Sequence, residues 1–296
     1  MNYFPIQYDT PLFRPPSEAN SLILQITLGC SWNKCAFCEM YTSKRFKVRK
    51  EEEVIQEINT TAKEYPEIRK VFLADGNPMV LSVKKLLKIL TAINNAFPKI
   101  NRISAYALPG DFASKSLDDL ITLREAGLKL IYVGIESGDN EVLSMINKGE
   151  TYTSTVEGLI KAKKAGIKSS VMILSGMGGL KYSEQHAINS AKILNEIQPD
   201  FASTLVLSFP FGVNRYKERF NGTYIPMSIP DLLKELEIFI KKTELKSTIF
   251  RSDHASNYLV LKGILSRDKQ SFLDNLSFAR NNPRLAGLRE EWQRGL

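Results

Sequence analysis

The chain has 296 residues, 43% of them hydrophobic and 24% charged, a balance that excludes disordered, fibrous and membrane-embedded classes. The 40 Lys and Arg against 32 Asp and Glu give a net charge of +8, which suits an anionic partner such as RNA or a phosphorylated substrate without identifying one. The three cysteines cannot pair off completely and lie within nine residues, a pattern of a metal or redox site in a reducing, cytoplasmic compartment and not of a disulfide framework. Residues 1–16 carry four prolines and no apolar run, so no signal peptide is expected there, and no membrane span elsewhere.

From residue 20 to about 207, short β-type runs alternate with amphipathic helical patterns, as in a parallel sheet with crossover helices. A strand at 22–27 runs into the cysteine loop, a helix at 52–64 stops before Pro66, and a strand follows at 70–74. Val83, Leu86, Leu87, Leu90, Ile93 and Phe97 mark the apolar face of the next helix, which leads to a strand at 102–107. Leu117, Leu120 and Ile121 lie on a helix ended by Gly127; a strand at 128–135, a helix at 153–165 and a strand at 167–174 continue the alternation. A helix at 183–197 and a strand at 201–207 complete it. Six βα units without a dinucleotide fingerprint fit an α/β fold of the partial (β/α)6, TIM-like barrel type better than a doubly wound sheet. The chain thus divides into an N-terminal segment (1–19), a core barrel (20–207) and a C-terminal α+β extension (208–296) expected to cap the barrel. In the extension, 209–230 reads as loop, 231–242 as helix, 247–258 as a short strand with a polar turn, and 269–278 as a last helix.

Cys30, Cys35 and Cys38 follow the first strand directly, at what would be the catalytic face of such a barrel. Three thiolates can hold three irons of a 4Fe-4S cluster and leave the fourth open to a small ligand. The alternative is structural zinc completed by His186 or His254, in a nucleic-acid-associated binding protein without catalysis. The basic run Lys44, Arg45, Lys47, Arg49 and Lys50 reads as solvated surface. After the second strand, Asp75-Gly76-Asn77-Pro78 is a turn in which Gly permits close backbone approach, Pro fixes direction and Asp75 can accept a hydrogen bond from an ammonium. Glu136, at the end of the fourth strand, needs polar partners to sit among apolar neighbours, whereas Asp139 reads as a helix cap. Arg251, His254 and Asn257 lie in a polar stretch that is either a turn network or a substrate pocket. Asp268 with Arg267 reads as capping the last helix, and Arg284, Arg289 and Arg294 with Trp292 as docking on the barrel or touching an anionic partner.

The cysteine loop, the Asp75–Pro78 turn and Gly134-Ile135-Glu136-Ser137-Gly138 together resemble the radical S-adenosylmethionine (SAM) superfamily, in the branch of the oxygen-independent coproporphyrinogen oxidases and tRNA methylthiotransferases. The loop departs from the usual spacing: four residues, Ser31 to Lys34, fill the first gap where the family has three. The resemblance implies a 4Fe-4S cluster on Cys30, Cys35 and Cys38, with the aromatic Phe37 before the third cysteine, and SAM as second cofactor. It implies backbone contact of Asp75, Gly76, Asn77 and Pro78 with the methionine amino group, Glu136 and Ser137 at the ribose, and Met172 and Gly176 lining adenine. Ser104 and Lys148 are candidates for the methionine carboxylate. The implied reaction is reductive cleavage of SAM to a 5′-deoxyadenosyl radical that abstracts hydrogen from a small-molecule or RNA substrate, in an oxygen-sensitive enzyme served by an electron donor such as flavodoxin or ferredoxin. The lack of a second cysteine cluster argues against sulfur insertion.

Overall fold

The computed structural model describes residues 4–210 and 212–294; residues 1–3 of the expected N-terminal segment, Phe211 in the expected loop and the last two residues lie outside them. In chain order the elements are β1 (Leu22–Gln25), β2 (Thr27–Leu28), β3 (Lys47–Val48), α1 (Glu51–Glu64), β4 (Lys70–Ala74), α2 (Val83–Ala96), β5 (Arg102–Ala107), α3 (Leu117–Glu125), β6 (Leu128–Glu136), α4 (Asn140–Met145), α5 (Tyr152–Lys164), β7 (Lys168–Ser175), α6 (Gly179–Ile197), β8 (Phe201–Val206), α7 (Val213–Arg219), α8 (Ile229–Lys242), β9 (Ile249–Ser252), β10 (Leu261–Ile264) and α9 (Leu265–Asn281). They form two compact units. The first comprises the chain to Asn33, Cys38–Val133 and Glu157–Ser169; the second comprises Lys34–Phe37, Gly134–Val156 and the chain from Ser170.

In the first unit β1, β4, β5 and β6 pair in parallel, with Leu24 opposite Leu73, Leu73 opposite Ala105 and Ala105 opposite Ile131. Leu24, Val71, Phe72, Leu73, Ile103 and Ile131 are fully buried, which is why these strands read as continuous apolar runs and not as alternating ones. The helix α2 buries Leu86, Ile89, Leu90 and Ile93 at helical spacing and starts at Ser82, whose hydroxyl accepts from Lys85 N. The expected strand at 22–27 is two elements: past Gln25 the chain leaves the sheet, and Thr27 pairs antiparallel with Val48.

In the second unit β7, β8 and β9 pair in parallel and β10 returns antiparallel to β9. Helix α8 packs against α6 and α9. A core of Val142, Leu143, Ile146, Leu174 and Met177 is closed by Tyr216, Phe220 and Tyr224, the two tyrosines meeting edge-on at 4.7 Å. The stretch expected to be loop at 209–230 therefore contains a helix, α7, held by buried Tyr216 within it and buried Phe220 directly after its end. The last helix starts earlier than expected, at Leu265, because Asp268 accepts a hydrogen bond from Ile264 N at 2.8 Å and caps it. No helix among the described residues is long and apolar enough to cross a membrane.

Candidate functional site

Cys35 is buried, Cys30 and Cys38 are half-buried, and none of the three is in a disulfide. Within the first gap Asn33 takes a left-handed conformation (φ 47°) and donates through Nδ2 to Tyr41 O at 2.9 Å and Lys44 O at 3.3 Å. The Asp75–Asn77 turn is stitched to the start of the cysteine loop. Gly76 N donates to Gly29 O at 2.9 Å, Gly29 N to Asp75 Oδ2 at 2.8 Å, and Ser31 N to Asn77 Oδ1 at 3.1 Å. Gly76 has to be glycine, because a Cβ there would lie 2.3 Å from Cys30 Cα.

Asp75 is fully buried, and its carboxylate is occupied by the chain's own donors: Gly29 N, Gln25 Nε2 at 3.1 Å and Lys44 Nζ at 3.1 Å. Lys44 also meets Asp9 at 2.9 Å; of the basic run, Arg45, Lys47 and Lys50 are the solvated surface expected, and Lys44 and Arg49 are not. Lys44 is a buried counter-ion and Arg49 holds Glu57 through two bonds at 2.8 and 2.9 Å. Ser104 lies in another buried network, donating to Glu18 Oε1 at 3.0 Å beside Arg102 (2.7 Å) and the Tyr132 hydroxyl (2.6 Å) on the same oxygen.

In the second unit Ala36 N donates to Ile146 O at 2.8 Å, and Phe37 packs at the edge of the core with Lys148 Nζ 5.7 Å from its ring centre. Glu136 ends β6 in a left-handed conformation (φ 66°). Its carboxylate folds back over Gly134, where a Cβ would lie 2.0 Å from Oε1. Oε1 accepts from Lys148 Nζ at 3.0 Å; Oε2 is buried without a partner. Ser137 Oγ accepts from Asp139 N at 3.0 Å and bonds His186 Nδ1 at 2.8 Å, while Asp139 caps α4 through Val142 N at 2.9 Å. Met172 is half-buried against the core, and Gly176 turns at φ 83° with its N–H on Glu235 Oε1 at 2.7 Å. Burial pushes the Glu235 carboxyl up, against the pull of His186, whose Nε2 is 3.9 Å away. Sequence reasoning missed Glu235, although a carboxylate among Leu232, Leu236 and Phe239 on the buried face of α8 is itself a signal.

A cavity of about 490 Å³ opens in this unit, with Gly176, Phe209, Tyr224, Leu232, Tyr258 and Arg294 in its wall. Of the polar stretch, Asn257 is spent on Val206 N (2.9 Å) and Thr204 O (2.7 Å), and His254 on Ser256; Arg251 is exposed, 3.7 Å from Asp253. Arg289 docks on the carbonyls of His254 and Asn257. Arg294 is buried, donating to Ser256 O at 2.9 Å and stacking 4.1 Å over Tyr258, whereas Arg284 and Trp292 are exposed.

Among the described residues no three His, Cys, Asp or Glu side chains converge on a single metal ion. His186 is engaged with Ser137 and Glu235 and His254 with Ser256, so the zinc-binding alternative gains no support. A cubane cluster asks for one thiolate per iron, and the donor set fits it: three thiols on a loop pinned through its backbone. The unpaired Glu136 Oε2 fits a ligand that carries hydroxyls.

Comparison with known proteins agrees with this chemistry. Residues 24–191, more than half of the chain, match the radical SAM superfamily. The chain is 28% identical over 142 residues to the heme chaperone HemW of Bacillus subtilis, covering 47% of this chain and 37% of that protein. It is 26% identical over 280 residues to the tRNA-2-methylthio-N(6)-dimethylallyladenosine synthase of Chloroherpeton thalassium, covering 90% of this chain and 58% of that one. It thus spans less than two thirds of the length of either relative. Among solved structures, the coproporphyrinogen III oxidase HemN of Escherichia coli superposes with a TM-score of 0.55 at 17% identity over 75% of this chain and 52% of that one. Native anSMEcpe, with AdoMet and a peptide bound, gives 0.53 at 13% identity over 75% and 59%. Both likenesses show a shared fold, the TIM-like α/β barrel type. The chain belongs to the radical SAM superfamily, with a 4Fe-4S cluster and SAM as its cofactors.

Proposed function

We propose that Cys30, Cys35 and Cys38 each bind one iron of the cluster, leaving the fourth for SAM, and that the chain uses the radical from SAM cleavage to take hydrogen from a small-molecule substrate. The observation that carries this is the trio of thiols within nine residues, on a loop bound through its backbone to the Asp75–Asn77 turn. The cluster, when bound, supplies the electron that splits SAM into methionine and a 5′-deoxyadenosyl radical. The chain supplies binding and orientation. Backbone carbonyls of Asp75 and Gly76, not the occupied Asp75 carboxylate, meet the methionine ammonium, with Asn77 and Pro78 holding the turn. Glu136 Oε2 accepts from the ribose hydroxyls, Ser137 fixes the segment through His186, and Met172 and Gly176 line the adenine. Phe37 seats the last turn of the loop on apolar side chains. Ser104 supports β5 through Glu18 and is not assigned the methionine carboxylate.

We assign the substrate to the 490 Å³ cavity, a volume suited to a compact molecule and not to an RNA loop. In this reading the 208–296 extension, outside the core barrel of 20–207, shapes the substrate cavity with the mutually bonded Tyr258, Glu291 and Arg294, and not with Arg251, His254 or Asn257, which do not line it. The enzyme works in the cytoplasm, takes electrons from a flavodoxin or ferredoxin, and loses its cluster in air. The test is anaerobic reconstitution with iron and sulfide, addition of SAM and a strong reductant, and measurement of 5′-deoxyadenosine from the parent and from Cys35→Ala. Formation by the parent alone is expected; a parent that carries the full cluster and cleaves no SAM with or without candidate substrates overturns the proposal.

A further inference from the structure

We infer that the Tyr41 hydroxyl donates a hydrogen bond to the sulfur shell of the cluster and thereby sets its reduction potential, an inference that rests on the cluster assignment above. Tyr41 stands three residues beyond Cys38, and its backbone is folded against the cysteine loop: its carbonyl accepts from Asn33 Nδ2 at 2.9 Å and from Lys44 N at 3.0 Å. Its side chain is buried, with Phe13 edge-on to the ring at 5.7 Å. Yet the hydroxyl at its tip, shut off from solvent, has no hydrogen-bond partner. A phenylalanine would fill the same apolar slot without leaving a desolvated donor, so packing alone does not account for a tyrosine here.

The surroundings narrow the missing acceptor. Burial above all, then Tyr106, Asp75, Cys38 and Cys30, pushes the Tyr41 pKa far up, so the phenol keeps its proton and has it to donate. The Asp75 carboxylate already takes Gln25, Gly29 and Lys44. Cys30 and Cys38 are the proposed cluster ligands, and an iron-sulfur cluster on them presents both thiolate and sulfide acceptors. A hydrogen bond to such sulfur favours the more negative, reduced cluster and raises the potential.

The test compares the parent with Tyr41→Phe, reconstituted to equal iron and sulfide content, by potentiometric titration followed in absorbance and EPR. The variant is expected to titrate at a more negative potential, by about 59 mV for a tenfold change in the one-electron equilibrium. A second readout needs no cluster: in the apo form Tyr41→Phe is expected to unfold at or above the parent's temperature, because it deletes an unpaired buried donor, and to lose that advantage once the cluster is in place. Equal potentials at equal cluster content overturn the inference, as does equal destabilisation of the apo and loaded forms, which would mean an acceptor within the chain. A parent that assembles no cluster takes down the assignment beneath it as well.

Discussion

Replacing Gly76 with alanine puts a methyl group 2.3 Å from Cys30 Cα, 2.5 Å from Cys30 Cβ and 2.8 Å from Gly29 O. Non-bonded carbons rest about 3.5–4.0 Å apart, so the cysteine loop has to retreat by about 1–1.5 Å. What stands in the way is mostly backbone, so no side chain can rotate aside. The retreat breaks the Gly76 N–Gly29 O bond of 2.9 Å and loosens the contacts of Asp75 with Gly29 N and of Asn77 with Ser31 N. Overpacking costs about 1–3 kcal/mol and one lost hydrogen bond about 0.5–1.5 kcal/mol, giving a destabilisation of about 2–4 kcal/mol. Urea unfolding of the apo protein measures that loss; iron and sulfide per chain after reconstitution measure whether the thiols still hold their positions. Gly76→Ala is expected to unfold at lower urea and to load less iron than the parent. If it unfolds at the same urea concentration and fills normally, the turn does not brace the loop and the reasoning is refuted.

Lys44→Met strands the buried Asp75 carboxylate, now 3.1 Å from the ammonium, and is expected to cost about 3–5 kcal/mol, part of which Asp75→Asn in the same chain restores; equal losses in single and double variants would contradict the ion pair. Glu136→Gln removes a charged acceptor from the ribose position, so SAM binding to the cluster-loaded protein, measured by equilibrium dialysis, is expected to weaken at least about tenfold, the worth of one charge-assisted hydrogen bond. His254 Nδ1 accepts from Ser256 N at 3.1 Å, which requires the neutral ring, and burial with Arg289 nearby holds its pKa below the ordinary 6.5. As pH falls below 6.5 the unfolded chain takes up this proton first, so stability declines until the folded value is passed. His254→Asn is expected to flatten that part of the curve of urea midpoint against pH, and identical slopes would count against it.

Much of this arrangement is legible before any coordinates. The strands β1, β4, β5, β6, β7 and β8 are short runs rich in apolar residues between turn residues, and the cysteine spacing with Gly134–Gly138 carries its own chemistry. What escapes a linear reading is pairing at a distance. Lys44 looks like one member of a surface run because its counter-ion, Asp75, is 31 residues away, and Glu18 meets Arg102 and Tyr132 across 84 and 114 residues. Asn257 looks like a ligand-binding amide, but it spends its side chain on the backbone of β8 and its end, at Thr204 and Val206. The seven-residue α7, between Gly212 and Gly222, is too short for periodicity to announce; tertiary burial of Tyr216 and Phe220 makes it a helix.

The central claim, three cysteines holding a cluster with one iron open to SAM, is tested most directly by EPR of the reduced, reconstituted protein before and after SAM is added. The account predicts a 4Fe-4S signal that changes on addition of SAM and is lost in Cys30→Ala, Cys35→Ala and Cys38→Ala alike. A signal indifferent to SAM, or a colourless protein carrying stoichiometric zinc, would contradict it.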